Sequence, residues 1–182
     1  MSNYSLFVLL LFSGQLMFAQ AQTYVTANGK TEFFSETPVE NIHAVNKTSL
    51  VALNTATGDI AARIKIRDFV FPNKLMQEHF NENYMESERL PLATFSGKIT
   101  NPPDYTKNGT FPVTASGKIT IHGVTKDREL KGKLTVQDGK ISLQTEFDVA
   151  LSDHNIEVPT LVFVKIAQVI RVKADYMLLP KN

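Results

Sequence analysis

The chain has 182 residues, 43% hydrophobic and 20% charged, the composition of one soluble globular domain with room for a core and not of a disordered chain. Lys and Arg total 19 against 18 Asp plus Glu, a net charge of +1, so there is no surplus of positive charge to mark a nucleic-acid partner. The absence of cysteine excludes disulfides, thiolate catalysis, Cys-ligated zinc or iron–sulfur, and a lipid anchor on Cys.

Residues 1–21 read as a secretory signal peptide. The run from Leu6 to Phe12 is apolar throughout, yet shorter than the about 20 apolar residues that a membrane-spanning helix needs. Ala19-Gln20-Ala21 supplies the small-x-small pattern of signal peptidase, which predicts cleavage after Ala21 and a mature domain over 22–182. The segment removed holds no Asp, Glu, Lys or Arg, so the mature charge is unchanged. The protein is expected outside the cytoplasm, periplasmic or secreted.

From Thr23 onward the dominant period is two, the period of a strand with one buried face. Asn28-Gly29 gives an early turn signal. Ala62, Ile64 and Ile66 alternate with Arg63, Lys65 and Arg67. A break follows at Phe71-Pro72-Asn73, after which Leu75, Met76, His79 and Phe80 stand at helical spacing with Asn73 as N-cap. This predicts one short helix ending near Asn83, then irregular chain to Pro91, the insertion lying across an open end of the strand assembly.

Alternation resumes at Ala93, Phe95, Gly97 and Ile99 and stops before Pro102-Pro103. It returns over Val113–Ile121, then at Leu130, Gly132, Leu134 and Val136, and again at Ile141, Leu143, Phe147 and Val149. The last run is predicted from Val162 to Tyr176, with Gln168 on its apolar face. Thr57-Gly58-Asp59, Asn108-Gly109 and Asp138-Gly139 read as hairpin-type connections. About eight mostly antiparallel strands, each with one core face, fit a closed barrel or a two-sheet sandwich. The barrel is favoured because closure removes the edge that so long a final strand would expose.

Catalytic and metal motifs are missing from this pattern. His43, His79, His122 and His154 are widely spaced, and none has a second ligand at a metal-motif spacing. His122 is assigned to the polar face of its strand. No GxSxG elbow, phosphate-cradling glycine loop or dinucleotide fingerprint occurs. Asp153-His154 with a distant Ser is read as polar side chains on the surface and not as a triad, and the sequons at Asn46 and Asn108 are assigned no function. No enzyme activity, catalytic residue, metal or cofactor is predicted.

Phenylalanine, at 12 residues, is the unusual feature. Phe69, Phe71, Phe80, Phe95 and Phe147 are expected inside, interleaved with Ala62, Ala93, Gly97, Ala115, Gly117 and Gly132. An eight-stranded barrel is just wide enough to be filled by side chains or to hold one small ligand. Thr145 and Gln168 are placed inside too, bonding a ligand head group, a water or the structure itself.

The segment Ala115–Lys126, ASGKITIHGVTK, resembles the signature strand and turn of the YceI-like family, secreted bacterial proteins. The family pattern G-x-L-T-x-H-G-V-T is met with Ile119 in place of Leu. Upstream, ESERLPLATFSGKIT resembles a family segment ending in x-Y-P-x-A-T-F, with Leu90 where an aromatic is common. TGDIAARIKIRDFVF and FDVALSDHNIEVP fit the same frame, the latter without an Arg and a Phe often found there.

This resemblance implies an all-β fold: an antiparallel eight-stranded lipocalin-like barrel with one short helix covering an open end. It also implies a non-catalytic carrier for an isoprenoid-type lipid, a polyprenyl pyrophosphate or quinone, held in an apolar interior. The expected ligand-binding residues are Phe69, Phe71, Phe80, Tyr84 and Phe95 near the helix-covered mouth, with Phe147 and Gln168. Partners on this reading are the lipid, a membrane touched transiently and a second copy in a homodimer. The alternative is a packed-core envelope structural or stress-response protein acting through surface contacts. A void of a few hundred Å³ separates the two. A hydrolase would need a Ser or His such as His79 or His122 beside a polarising neighbour in a cleft.

Overall fold

The period-two pattern closes on itself. In the computed structural model, which describes residues 22–158 and 165–181, eight antiparallel strands form a closed barrel in chain order. The strands are β1 (Thr23–Glu36), β2 (Asn41–Asn54), β3 (Asp59–Lys65), β4 (Leu92–Ile99), β5 (Gly109–Ile121), β6 (Val124–Gln137), β7 (Lys140–Ala150) and β8 (Val169–Pro180). β8 pairs with β1 to complete the ring, which rules out the sandwich. The predicted signal peptide and cleavage site lie outside the described residues. Among the described residues, no helix is long and apolar enough to cross a membrane.

Between β3 and β4 the chain makes a 3-10 turn (Ile66–Asp68), helix α1 (Lys74–His79) and a π-helical turn (Phe80–Tyr84). The expected cap forms: the Asn73 side chain accepts from the Leu75 and Met76 amides at 2.9 and 3.4 Å. Two of the four orphan amides at the helix start are thereby satisfied.

Apolar burial is unequal at the two ends. Leu53, Ile99, Leu134, Ile141 and Leu178 are fully buried in one cluster beside the β2–β3 and β6–β7 turns and both strand termini, so this end is plugged. At the opposite end one cluster gathers Ile66, Met85, Leu151 and Ile156, and another gathers Ala44, Phe69 and Phe71 against Phe33, Met76 and Phe80.

Several local expectations are corrected. Asn28-Gly29 is not a turn but an irregularity inside β1, where the register to β2 shifts on both sides of Gly29. The glycine serves close approach: a Cβ there would sit 2.6 Å from the Tyr176 ring and 3.0 Å from the Ser49 carbonyl oxygen. The true β1–β2 turn is at Thr37–Glu40, where Thr37 Oγ1 accepts from the Val39 and Glu40 amides at 3.3 and 3.0 Å. Asn108-Gly109 ends a longer β4–β5 loop instead of making a tight turn. Asn108 exchanges hydrogen bonds with Asp138 in the β6–β7 turn.

His122 is not on a strand face. It occupies the β5–β6 turn with Gly123, at φ of 50° and 73°, the two left-handed positions that a two-residue hairpin turn requires. The last strand begins at Val169 and not at Val162; Val162 and Val164 lie outside the described residues. The chain just before β8 is held differently, the Ala167 amide donating to Ser35 Oγ and the Leu151 amide to the Gln168 carbonyl, both at 2.9 Å.

Candidate functional site

Inside the barrel is a cavity of about 590 Å³, far beyond the water-sized voids of a packed interior and within the range of ligand sites. Val51, Ile99, Val113 and Leu143 form its floor above the plugged end. Its walls rise through Ala62, Phe95, Ala115, Ile119, Phe147, Val149 and Ala174. It reaches the surface beside Leu75 and His79 of α1 and Lys165, all exposed. The volume exists because Ala62, Ala93, Ala115 and Gly132 occupy lining positions where larger residues would fill the interior.

Gly97 and Gly117 do not contribute space in the way expected. They face each other across the β4–β5 ladder, and a Cβ on Gly117 would lie 2.4 Å from Gly97 Cα and 2.3 Å from the Ser96 carbonyl oxygen. The pair lets two strands approach closely, with the Phe95 ring lying near Gly97. Gly117→Ala is therefore expected to lower stability by about 1–3 kcal/mol through overpacking, read as a fall in thermal midpoint.

Six of the seven predicted ligand-contacting residues line the cavity: Phe69, Phe71, Phe80, Tyr84, Phe95 and Phe147. Phe71 and Phe80 lie 5.0 Å apart by ring centroid, and Phe69 and Phe80 5.8 Å. Phe33, which the sequence reading missed, joins them: its ring lies 5.3, 5.6 and 5.4 Å from those of Phe69, Phe71 and Phe80. These four aromatic rings form an apolar wall under α1. Burial pushes the Tyr84 phenol pKa above its ordinary value, so the ring enters the wall as a neutral group.

Gln168 is the exception. It is exposed, absent from the lining and one residue short of β8, because the chain before Val169 is not strand and the period of two does not extend through it. Thr145 does line the cavity, but its hydroxyl donates to the Lys131 carbonyl at 2.7 Å and serves the structure.

One polar chain is built into the inner wall. Asn46 Oδ1 accepts from the Thr48 amide at 2.8 Å and from Ser49 Oγ at 3.2 Å, while Asn46 Nδ2 donates to the Lys65 carbonyl at 2.9 Å. An amide oxygen only accepts, which fixes the direction of the rest. Ser49 Oγ accepts from Thr31 Oγ1 at 2.8 Å, and Thr31 Oγ1 accepts from the Tyr176 hydroxyl at 2.9 Å. Burial raises the Tyr176 phenol pKa, opposed by its hydrogen bond to Thr31 and by the nearby Ser49 hydroxyl. All four side chains are buried, and the chain leaves no unpaired hydroxyl proton among them.

The histidines do not converge. His43 stacks on Phe34 with centroids 4.4 Å apart and bonds Glu32 at 2.9 Å on the outer surface. Nδ1 of His122 donates to the His154 carbonyl at 3.1 Å, and Nδ1 of His154 donates to the Val124 carbonyl at 3.2 Å. Among the described residues no group of three His, Cys, Asp or Glu could hold a metal ion.

Three solved structures share this architecture. A polyisoprenoid-binding domain from Saccharophagus degradans, implicated in plant cell wall breakdown, aligns at a TM-score of 0.75 with 13% identity, covering 89% of this chain and all of that one. Burkholderia cenocepacia BcnA aligns at 0.69 with 15% identity, over 84% of this chain and 96% of its own. The Campylobacter jejuni YceI protein aligns at 0.59 with 16% identity, over 100% of this chain and 99% of its own. At such identities the likeness is one of fold. No curated protein matches the chain in sequence. The sequence profile of the YceI-like domain matches residues 15–178.

Proposed function

Since the chain belongs to the YceI-like family, we propose that it is a non-catalytic carrier for an isoprenoid-type lipid, a polyprenyl pyrophosphate or a quinone, held inside the barrel. The observation that carries this reading is the apolar cavity of about 590 Å³, walled by phenylalanine and closed at its far end. That one similar structure is a polyisoprenoid-binding domain supports it. On the same reading, residues 1–21 direct export, and the domain over 22–182 works in the periplasm or as a secreted protein, meeting membranes transiently.

Magnitudes make such a carrier workable. Burying one methylene is worth about 0.8 kcal/mol relative to water, so a five-carbon isoprene unit contributes roughly 4 kcal/mol. A few units offset the ~4–15 kcal/mol cost of association. The bilayer competes for the same chain with an equally apolar interior, so a cavity that roughly matches it exchanges its cargo reversibly. The packed-core alternative requires side chains at native density throughout the barrel, and a void of this size argues against it.

Native mass spectrometry of protein purified gently after export tests the proposal. The expected spectrum contains a prenyl-lipid adduct, or acquires one when solanesol is added. Repeated absence of co-purified lipid together with no solanesol uptake would overturn the proposal. The same spectrum reads a homodimer as a doubled mass.

A further inference from the structure

The cavity wall is not equally sealed around the barrel. The β5–β6 ladder runs from Gly109 opposite Val136 to Ile121 opposite Val124, and the β7–β8 ladder reaches Ala150 opposite Val169. Between β6 and β7, however, pairing ends at Gly132 opposite Thr145. Toward the open end, Val124–Lys131 of β6 and Glu146–Ala150 of β7 diverge with no ladder between them. Gly132 marks the fork: a Cβ there would lie 2.4 Å from the Gln144 carbonyl oxygen, so the strands touch at that point and then separate.

Side chains span the fork in place of backbone. The Arg128 guanidinium donates to the Asp148 carbonyl, and Thr145 Oγ1 donates to the Lys131 carbonyl at the apex. Nδ1 of His154 donates to the Val124 carbonyl, and Nδ1 of His122 to the His154 carbonyl, closing the top. Nε2 of His122 is buried without a partner, so this clasp is not fully satisfied. Lys126 and Arg128 sit where strand alternation assigns the inner face, in register with Leu130 and Leu134. A second cavity of about 120 Å³ occupies the seam, and Ile119 and Val149 line both it and the main cavity.

We propose that the β6–β7 seam is a lateral portal through which an isoprenoid chain slides sideways between cavity and bilayer. This rests on the lipid-binding reading above. The end-on route opens beside Leu75 and His79 of α1 and runs along the rings of Phe33, Phe69, Phe71 and Phe80, so a long chain using it enters tip first. Opening the seam breaks a few side-chain hydrogen bonds and displaces two aliphatic side chains, whereas opening the wall at β4–β5, β5–β6 or β7–β8 breaks a backbone ladder, and the short β2–β3 ladder is backed toward the open end by the paired backbone of Val45 and Val70. Local opening is drawn from such weakly paired regions.

Because the chain has no cysteine, Lys126→Cys with Asp148→Cys places a unique thiol pair on the seam, which a short bismaleimide can strap. Loading is followed by native mass spectrometry after mixing with phosphatidylcholine vesicles that contain solanesol. The strapped protein is expected to load at least tenfold more slowly than the same variant capped with N-ethylmaleimide, and Arg128→Ala to load several-fold faster than the unsubstituted chain. Equal rates for strapped and capped protein overturn the portal while leaving lipid binding intact. Failure of the unsubstituted chain to load at all overturns the lipid reading and the portal with it. Hydrogen exchange on the unsubstituted chain gives an independent reading. Those amides of 126–131 and 146–149 that point into the seam, and not into the flanking β5–β6 and β7–β8 ladders, are expected to exchange at least tenfold faster than the ladder-bonded amides of β5 over 113–121, and equal protection overturns the portal.

Discussion

A chain carrying Ala62→Phe and Ala115→Phe is expected to remain folded and to lose solanesol uptake. Both alanines line the cavity, from β3 and β5. Burying each new ring gains up to about 1.5–3 kcal/mol, and imperfect fit costs about 1–3 kcal/mol, so stability changes little. Occupancy does not share that balance. Two rings displace at least one isoprene unit, worth roughly 4 kcal/mol relative to water, and each 1.4 kcal/mol is about tenfold in affinity. A loss of about a thousandfold in affinity for aqueous solanesol follows, with the thermal midpoint within a few degrees of the parent. Loading at the parental level would show that lipid binds somewhere other than this cavity.

Asn46→Ala is expected to cause the largest loss of stability of any single polar substitution in the barrel wall. It removes the acceptor for the Thr48 amide and Ser49 hydroxyl, and the donor to the Lys65 carbonyl. The Ser49 hydroxyl is buried and the Thr48 amide and Lys65 carbonyl are part-buried, so losing these three partners costs about 3 kcal/mol in sum, the low end of about 1–3 kcal/mol per group. For a chain of this size that corresponds to a fall in thermal midpoint of roughly 6–12 °C. Thr110→Ala breaks only an exposed Thr110–Thr135 contact and is expected to shift stability by under about 0.5 kcal/mol. Calorimetry of the delipidated protein separates the two; similar midpoints would mean that the Thr31–Ser49–Asn46 chain contributes little.

The barrel was legible because β3, β4, β5, β6 from Leu130 onward, most of β7 and the body of β8 keep their alternation, and because the cap at Asn73 and the turn at Asp138-Gly139 follow from local chemistry. β1 and β2 were harder to read for one physical reason. Thr31, Ser35, Asn46 and Ser49 are buried, and the irregularity around Gly29 shifts the register. Polar residues at inward positions erase the apolar signal, which is how Phe33 escaped notice between them. Gln168 failed the other way: its neighbours had the right character, but the chain there is pinned to Ser35 and Leu151 and is not strand. The seam did leave a trace in the sequence. Lys126 and Arg128 at inward parity announce that β6 cannot stay against an oily interior, and the end of the β6–β7 ladder at Gly132 shows what they do instead.

The dense plug of Leu53, Ile99, Leu134, Ile141 and Leu178 beneath the cavity floor makes the hollow blind. A sealed bottom is a gauge: any guest chain can advance only until it meets Val51, Ile99, Val113 and Leu143, which lie over that plug. Cargo shorter than the depth leaves empty space behind it, and longer cargo strands its surplus units outside, where water penalises every one of them.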